Sequence, residues 1–283
     1  MPRIEPQKHT PYDSEKTVIY AAPGDPRFSY SLFVPRGYSE MPEPTQIIVA
    51  VHGTGREGVV EFRDALAEFA QWNNCIIVAP LFPVGVRGDG NRDGYKYLLE
   101  GDIRYDQVLL DIVDKVRAQY GITERKFAMF GYSGGGHFTH RFFLLHPERL
   151  WAASIGAPGS VTCIDPTRDW WVGTRDVVEK FGIALKPEAL KEVPIHMVVG
   201  DADLETWEIT HSPSSPHYME GANDAGKTRH ERLRTLKKSF EAADVDVTLD
   251  VLPGVSHRRL ECLVASKFFF HRILKKMRAS NRQ

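Results

Sequence analysis

KFAMFGYSGGGHF (126–138) passes from a short apolar run into a glycine cluster with a single serine inside it. KFAMF has the length and composition of a buried strand, and residues 134–146 place Phe138, Phe142 and Leu145 at helical spacing. Between the two, Gly131-Tyr132-Ser133-Gly134-Gly135 fits Gly-x-Ser-x-Gly. A serine in so tight a strand-to-helix turn must take a strained backbone conformation for its hydroxyl to project beyond the sheet. Glycines on either side let strand and helix pack closely. The helix that begins there aims free N–H groups and its positive end at the hydroxyl. A glycine-rich turn without chemistry would show the same five residues, so the surroundings decide between the readings.

Outward from this turn, strands and helices alternate. Upstream, TVIYAA (17–22) and FSYSLFVP (28–35) flank the turn-forming PGDP as an antiparallel pair, and QIIVAVH (46–52) is continuously apolar and β-branched, the mark of a central strand. Residues 57–72 predict a helix with Val60, Phe62, Leu66, Phe69 and Ala70 on one side. CIIVAP (75–80) predicts a strand, and 104–120 a helix through Val108, Leu109, Ile112, Val113 and Val116. Downstream, LWAASIGAP (150–158), PIHMVVG (194–200) and VDVTLDVLPG (245–254) predict strands, with helices over 226–242 and 260–278. The alternation implies one α/β domain over 1–283: a mostly parallel sheet with helices on both faces. Residues 1–16 are expected to be an extended surface segment. Residues 158–193 exceed what a crossover helix needs and are expected to form a cap or lid.

The chemistry of an activated serine needs a base, an acid and a place for negative charge. His52-Gly53-Thr54-Gly55 follows the central strand, where a loop can supply one oxyanion donor; the residue after the serine supplies the other. Thr54 and Gly134 are assigned, with Gly53 as the fallback and His52 holding the loop in shape. His257 follows the last strand through Pro253-Gly254-Val255-Ser256, on a loop at the same sheet edge as Ser133. His137 lies one helical turn beyond Ser133 and points toward packing, while His140, His146, His196 and His271 fall within helices or a strand. After PIHMVVG come Asp201, Asp203 and Glu205; Asp203, third after Gly200, is the assigned acid, which would orient the imidazole and stabilise its protonated form.

HGTG (52–55), GYSGGG (131–136), GDAD (200–203) and PGVSH (253–257) together resemble the α/β-hydrolase superfamily, and within it esterase or polyhydroxybutyrate-depolymerase-like proteins. The resemblance covers nearly all of 17–278. It implies an α/β-hydrolase fold, a catalytic triad of Ser133, Asp203 and His257, oxyanion donors near Thr54 and Gly134, and cleavage of an ester, thioester, lactone or related acyl bond. No cofactor or metal is needed for that chemistry. The same fold and triad also serve carbon–carbon bond hydrolysis and acyl transfer, and a non-catalytic ligand receptor is the alternative from another class.

Several other residues are candidates for the substrate pocket. Tyr132 beside the serine and Trp170 and Trp171 in the expected cap could form an aromatic wall, or pack the cap onto the sheet. His211, with His217 and Tyr218, lies in the long polar run 205–224 that starts just after the acid. Arg87 and Arg92, in the glycine-rich loop 81–97, read as solvated charges.

Composition narrows the partners. The chain is 42% hydrophobic and 26% charged, with 36 basic and 37 acidic side chains for a formal net charge of −1. Such a balance gives no field for nucleic acid or an anionic membrane, leaving a small-molecule acyl substrate as the expected partner. Cys75, Cys163 and Cys262 are too scattered for a disulfide framework or a zinc site. With no apolar signal core in the first residues, a cytoplasmic setting is expected. The sequence carries no signal for an oligomeric state.

Overall fold

A computed structural model describes residues 10–280. Of the expected extended segment 1–16, Pro11–Asp13 form a single 3-10 turn and Glu15 and Lys16 open the first strand, while residues 1–9 lie outside the described residues. β1 (Glu15–Ala21) and β2 (Ser29–Val34) pair antiparallel, followed by β3 (Gln46–Val51), α1 (Gly58–Trp72) and β4 (Cys75–Leu81). A two-residue-per-strand hairpin, β5 (Leu99–Glu100) and β6 (Ile103–Arg104), interrupts the rhythm before α2 (Tyr105–Gln119). Then come β7 (Phe127–Tyr132), α3 (Gly134–Leu145) and β8 (Leu150–Gly156). The short α4 (Val177–Phe181) and α5 (Pro187–Lys191) precede β9 (Ile195–Gly200), α6 (Arg229–Glu241), β10 (Val247–Leu252) and α7 (Arg259–Ser280).

Eight strands form one sheet in the order β1-β2-β4-β3-β7-β8-β9-β10. β1, β2 and β4 run antiparallel to their neighbours in turn, and every pairing from β4 to β10 is parallel. α1 and α7 pack on one face, and α2, α3 and α6 on the other. All six residues of β3 and of β7 are buried, as continuous apolar runs covered on both faces require. The edge strand β1 buries only Thr17 and leaves the consecutive Val18 and Ile19 exposed, with a register irregularity between Lys16 and Ile19.

The buried stripe of α1 is Val59, Phe62, Leu66 and Ala70, a strict three-four-four spacing. Val60, expected inside, is 44% exposed because it falls one residue off that stripe. Every residue of α3 is buried, including His137, His140 and Arg141, because residues 157–162 cross over its outer side. All parallel strands end at one edge, and the loops that follow β3, β4, β7, β9 and β10 meet there. Among the described residues no helix is long and apolar enough to cross a membrane, and all three cysteines are free.

Candidate active site

Ser133 is the N-cap of α3 with φ 54° and ψ −115°, a conformation that non-glycine residues rarely tolerate. Its amide donates to Gly156 O at 2.8 Å, which fastens the turn to the end of β8. Absence of side chains makes the turn possible. A methyl on Gly131 would overlap the Gly135 carbonyl and Thr139 Oγ1, and one on Gly135 would overlap the carbonyl oxygens of Val51 and His52.

The loop after β3 folds against this turn. A side-chain carbon on Gly134 would stand 3.1 Å from Thr54 N, so the backbones of the two assigned oxyanion residues are neighbours. His52 fixes their orientation. Its Nε2 accepts the Phe82 amide at 3.0 Å, which leaves Nδ1–H to donate to Gly53 O at 2.8 Å. In a trans peptide the N–H opposes the carbonyl, so tying back Gly53 O turns the Thr54 N–H the other way. Complete burial pushes His52 down to about 3, and it stays neutral in this role. Arg56 adds a second clamp, donating to Thr54 O at 2.5 Å, Phe82 O at 3.0 Å and Arg92 O at 2.8 Å.

Asp203 and His257 are brought together at the same edge. His257 Nδ1 lies 2.6 Å from Oδ2 of the buried Asp203, and the imidazole keeps a quarter of its side chain exposed. Burial alone would raise the Asp203 carboxyl. The hydrogen bond from His257 and the charges of His257 and Arg229 outweigh it and hold the group below the ordinary carboxylate range. The Tyr132 hydroxyl also stands 3.0 Å from His257 Nδ1, with the two rings 4.8 Å apart. One ring nitrogen cannot serve both as donor and as acceptor. The shorter, charge-assisted contact assigns the Nδ1 proton to Asp203 and leaves Nε2 as the basic nitrogen. Ser133 makes no side-chain hydrogen bond to His257 in this structure; what links them is Tyr132, adjacent to the serine and against the imidazole.

Ser133 opens into a cleft of about 140 Å³. Asp93, Lys96 and Tyr97 line it from the loop after β4, Glu208 to His211 and Ser215 to His217 from the loop after β9, and Thr54, His137, Gly159 and Arg229 complete it. A wider depression of about 690 Å³ beside His146 and Arg149 opens at the other end of the sheet, away from all of these residues.

The other expected site residues fall in different places. His211 lines the cleft, as does His217, whereas Tyr218 points outward and is 45% exposed. Trp170 and Trp171 are buried behind the cleft wall. Their indole N–H groups donate to Tyr97 O at 3.1 Å and His217 O at 3.0 Å, so they brace the two lining loops. Of the expected cap 158–193 only Gly159 reaches the cleft; the cover comes from 208–217. His137 lines the cleft too, but its Nε2 accepts the amides of Gly159 and Ser160, and burial holds it neutral.

Lys96, Asp93, Glu208 and Arg229 are cleft residues that the sequence reading did not single out. Lys96 pairs with Asp93 at 2.7 Å, and Arg229 with Glu208 at 2.6 Å. One signal was available for Arg229: it opens α6 directly after the N-cap Thr228, and a cation at a helix N-terminus opposes the helix dipole.

No protein-family model and no curated protein sequence matches the chain. Among solved structures, it superposes on a poly(3-hydroxybutyrate) depolymerase from Bordetella parapertussis with a TM-score of 0.72 at 21% identity, over 91% of each chain. A poly(aspartic acid) hydrolase-1 from Sphingomonas sp. KT-1 gives 0.68 at 20% identity, covering 85% of this chain and 92% of that one. An S-formylglutathione hydrolase from Agrobacterium tumefaciens gives 0.55 at 16% identity, over 88% and 89%. The chain thus has the α/β-hydrolase fold, a mostly parallel eight-stranded sheet between helices, as the motif order implied.

Proposed function

We propose that this α/β-hydrolase-fold chain is a serine hydrolase that cleaves a small acyl compound, an ester in the first instance, through an acyl-enzyme on Ser133. The observation that carries the reading is the pairing of the buried Asp203 with the partly exposed His257 at the sheet edge where Ser133 is held in its strained turn. In this reading His257 Nε2 takes the Ser133 proton as Oγ attacks the carbonyl carbon. Catalytic hydrogen bonds commonly tighten only when substrate is bound, and this reading requires the Ser133 hydroxyl to meet His257 Nε2 at that stage. The Thr54 and Gly134 amides receive the oxyanion, a contribution of about 3 kcal/mol per donor. The protonated His257 gives its proton to the leaving alcohol, and water then resolves the acyl-enzyme by the same steps in reverse.

The cleft supports a short or polar acyl group. It holds two ion pairs, Lys96–Asp93 and Arg229–Glu208, and the imidazoles of His211 and His217, which burial keeps neutral, His211 down to about 4. A long alkyl chain would strip water from these groups without replacing their hydrogen bonds. In a panel of p-nitrophenyl esters, kcat/KM for the acetate or butyrate should exceed that for the decanoate by about 100-fold. A value that rises steadily to the decanoate contradicts this assignment of the cleft.

A further inference from the structure

Arg229 is, with Arg141 and Arg232, among the most deeply buried charges of the described residues. It is 1% exposed, it is the first residue of α6, and its Nε is buried with no partner. Burial of a cation and its place at the positive end of a helix both oppose it, so its other contacts must offset a considerable cost. Those contacts are two carboxylates. Nη1 donates to Asp203 Oδ1 at 2.9 Å, and Nη2 to Glu208 Oε2 at 2.6 Å. Asp203 is thereby held at both oxygens, Oδ1 by Arg229 and Oδ2 by His257. An arginine alone would be a poor neighbour for this carboxylate. It would fix the geometry but cancel the negative charge that must stabilise a protonated His257. Glu208, half-exposed and reaching in from the loop after β9, supplies the missing charge.

We propose that Arg229 and Glu208 act together as positioning residues for Asp203, the guanidinium fixing the oxygen that His257 does not use and Glu208 restoring the charge that the guanidinium removes. The proposal rests on the serine-hydrolase reading above. With two carboxylates and one guanidinium, the group carries one net negative charge while His257 is neutral and none once His257 takes the serine proton. Proton transfer therefore neutralises this group while the negative charge passes to the oxyanion. The loop that bears Glu208 also carries His211 and His217 of the cleft wall, so the same segment that shapes the pocket completes the charge balance behind the base.

Two further cations face this group: Arg232, bound to carbonyl oxygens and Asn223, and Lys96, paired with Asp93. Both stay the same in every variant compared below, so differences between variants report Arg229 and Glu208. Tyr132 and Cys262 are kept neutral by burial, which raises both, Cys262 to about 12. On the open side of the imidazole, Arg259 pairs with Glu61 and Glu57, and Arg258 with Glu261.

The test compares Arg229→Met, Arg229→Lys and Glu208→Gln in steady-state kinetics on p-nitrophenyl acetate across pH, with melting curves for each. Arg229→Met should lower kcat by about 10- to 100-fold with KM changed far less, and Arg229→Lys should recover much of that loss. Removing each charge should displace the acidic limb of kcat/KM in opposite directions by about half a pH unit: upward for Arg229→Met, downward for Glu208→Gln. The same opposite displacements should appear in an NMR titration of the His257 imidazole. That readout keeps the test independent of turnover, so a chain that cleaves no ester defeats the serine-hydrolase reading and leaves the charge bracket to be judged from the titration. Displacement of both variants in one direction, or of neither, overturns the proposal. If Arg229→Met does not fold, the half-exposed Glu208→Gln decides the matter against the charge-conserving Arg229→Lys: a downward displacement in the first with little in the second supports the proposal, and no displacement in Glu208→Gln overturns it.

Discussion

Ser133→Ala should hydrolyse p-nitrophenyl acetate more slowly than the unaltered chain by a factor of about 10⁴ to 10⁶, with its melting temperature changed by no more than a few degrees. The size follows from the role: without the hydroxyl there is no acyl-enzyme, and what remains is water attack assisted by oxyanion donors and binding. The small effect on stability follows from the site. The turn is held by backbone contacts, Ser133 N to Gly156 O at 2.8 Å and the close approaches of Gly131 and Gly135, none of which uses the hydroxyl. Alanine inherits the strain at φ 54° without adding to it. Activity near that of the unaltered chain, in a variant that melts normally, would remove Ser133 from the mechanism.

Asp203→Asn should cost about 10³- to 10⁴-fold in kcat, for a reason visible in the surroundings of His257. In the unaltered chain Asp203 takes the proton on Nδ1 and leaves Nε2 free to act as base. An asparagine amide can donate instead. With the carboxylate gone, the Tyr132 hydroxyl, 3.0 Å from Nδ1, becomes a second donor to the same nitrogen. Both favour the tautomer with its proton on Nε2, which cannot accept one from Ser133. The Asp203→Asn, Tyr132→Phe double variant should therefore be no worse than Asp203→Asn alone. A loss within about tenfold of the unaltered rate for Asp203→Asn would show that the acid lies elsewhere. The carboxyl of Asp203 is held below its ordinary range in the folded chain. Its contribution to stability is accordingly complete at neutral pH and lost as the pH falls through that lowered value.

The elements of this fold were legible where burial on both faces imposes a pattern. QIIVAV and KFAMF are apolar throughout because β3 and β7 lie at the centre of the sheet, and both strands form within a residue or two of the expected bounds. The Ser133 turn was legible for a different reason: only glycine allows such an approach of strand and helix, so the constraint is written in residue type. His257 and Asp203 could be proposed from their places just past strand ends, because parallel strands deliver their following loops to one edge.

The walls of the cleft were harder to read. Loops carry no periodicity, and nothing in the composition of 81–97 or 205–224 separates Lys96 from Arg92, or Glu208 from Glu205, before the chain is folded. Trp170 and Trp171 left two readings open, an aromatic wall or packing of the segment onto the sheet, and both rings are buried. Here their N–H groups are spent on backbone carbonyls of the lining loops, one layer behind the cleft. For Arg229 the sequence offers only a cation near the start of a helix, and its burial against two carboxylates is what gives the position its meaning.

The central claim is that Ser133 is a nucleophile activated at this site, and covalent labelling tests it most directly. The chain would be treated with a fluorophosphonate at neutral pH, digested, and its adduct mapped by mass spectrometry. The account predicts one adduct, on the peptide carrying Ser133, formed much more slowly when His257 is replaced by glutamine. An unmodified Ser133 under conditions that label an active esterase alongside it, or an adduct only on another residue, would contradict it.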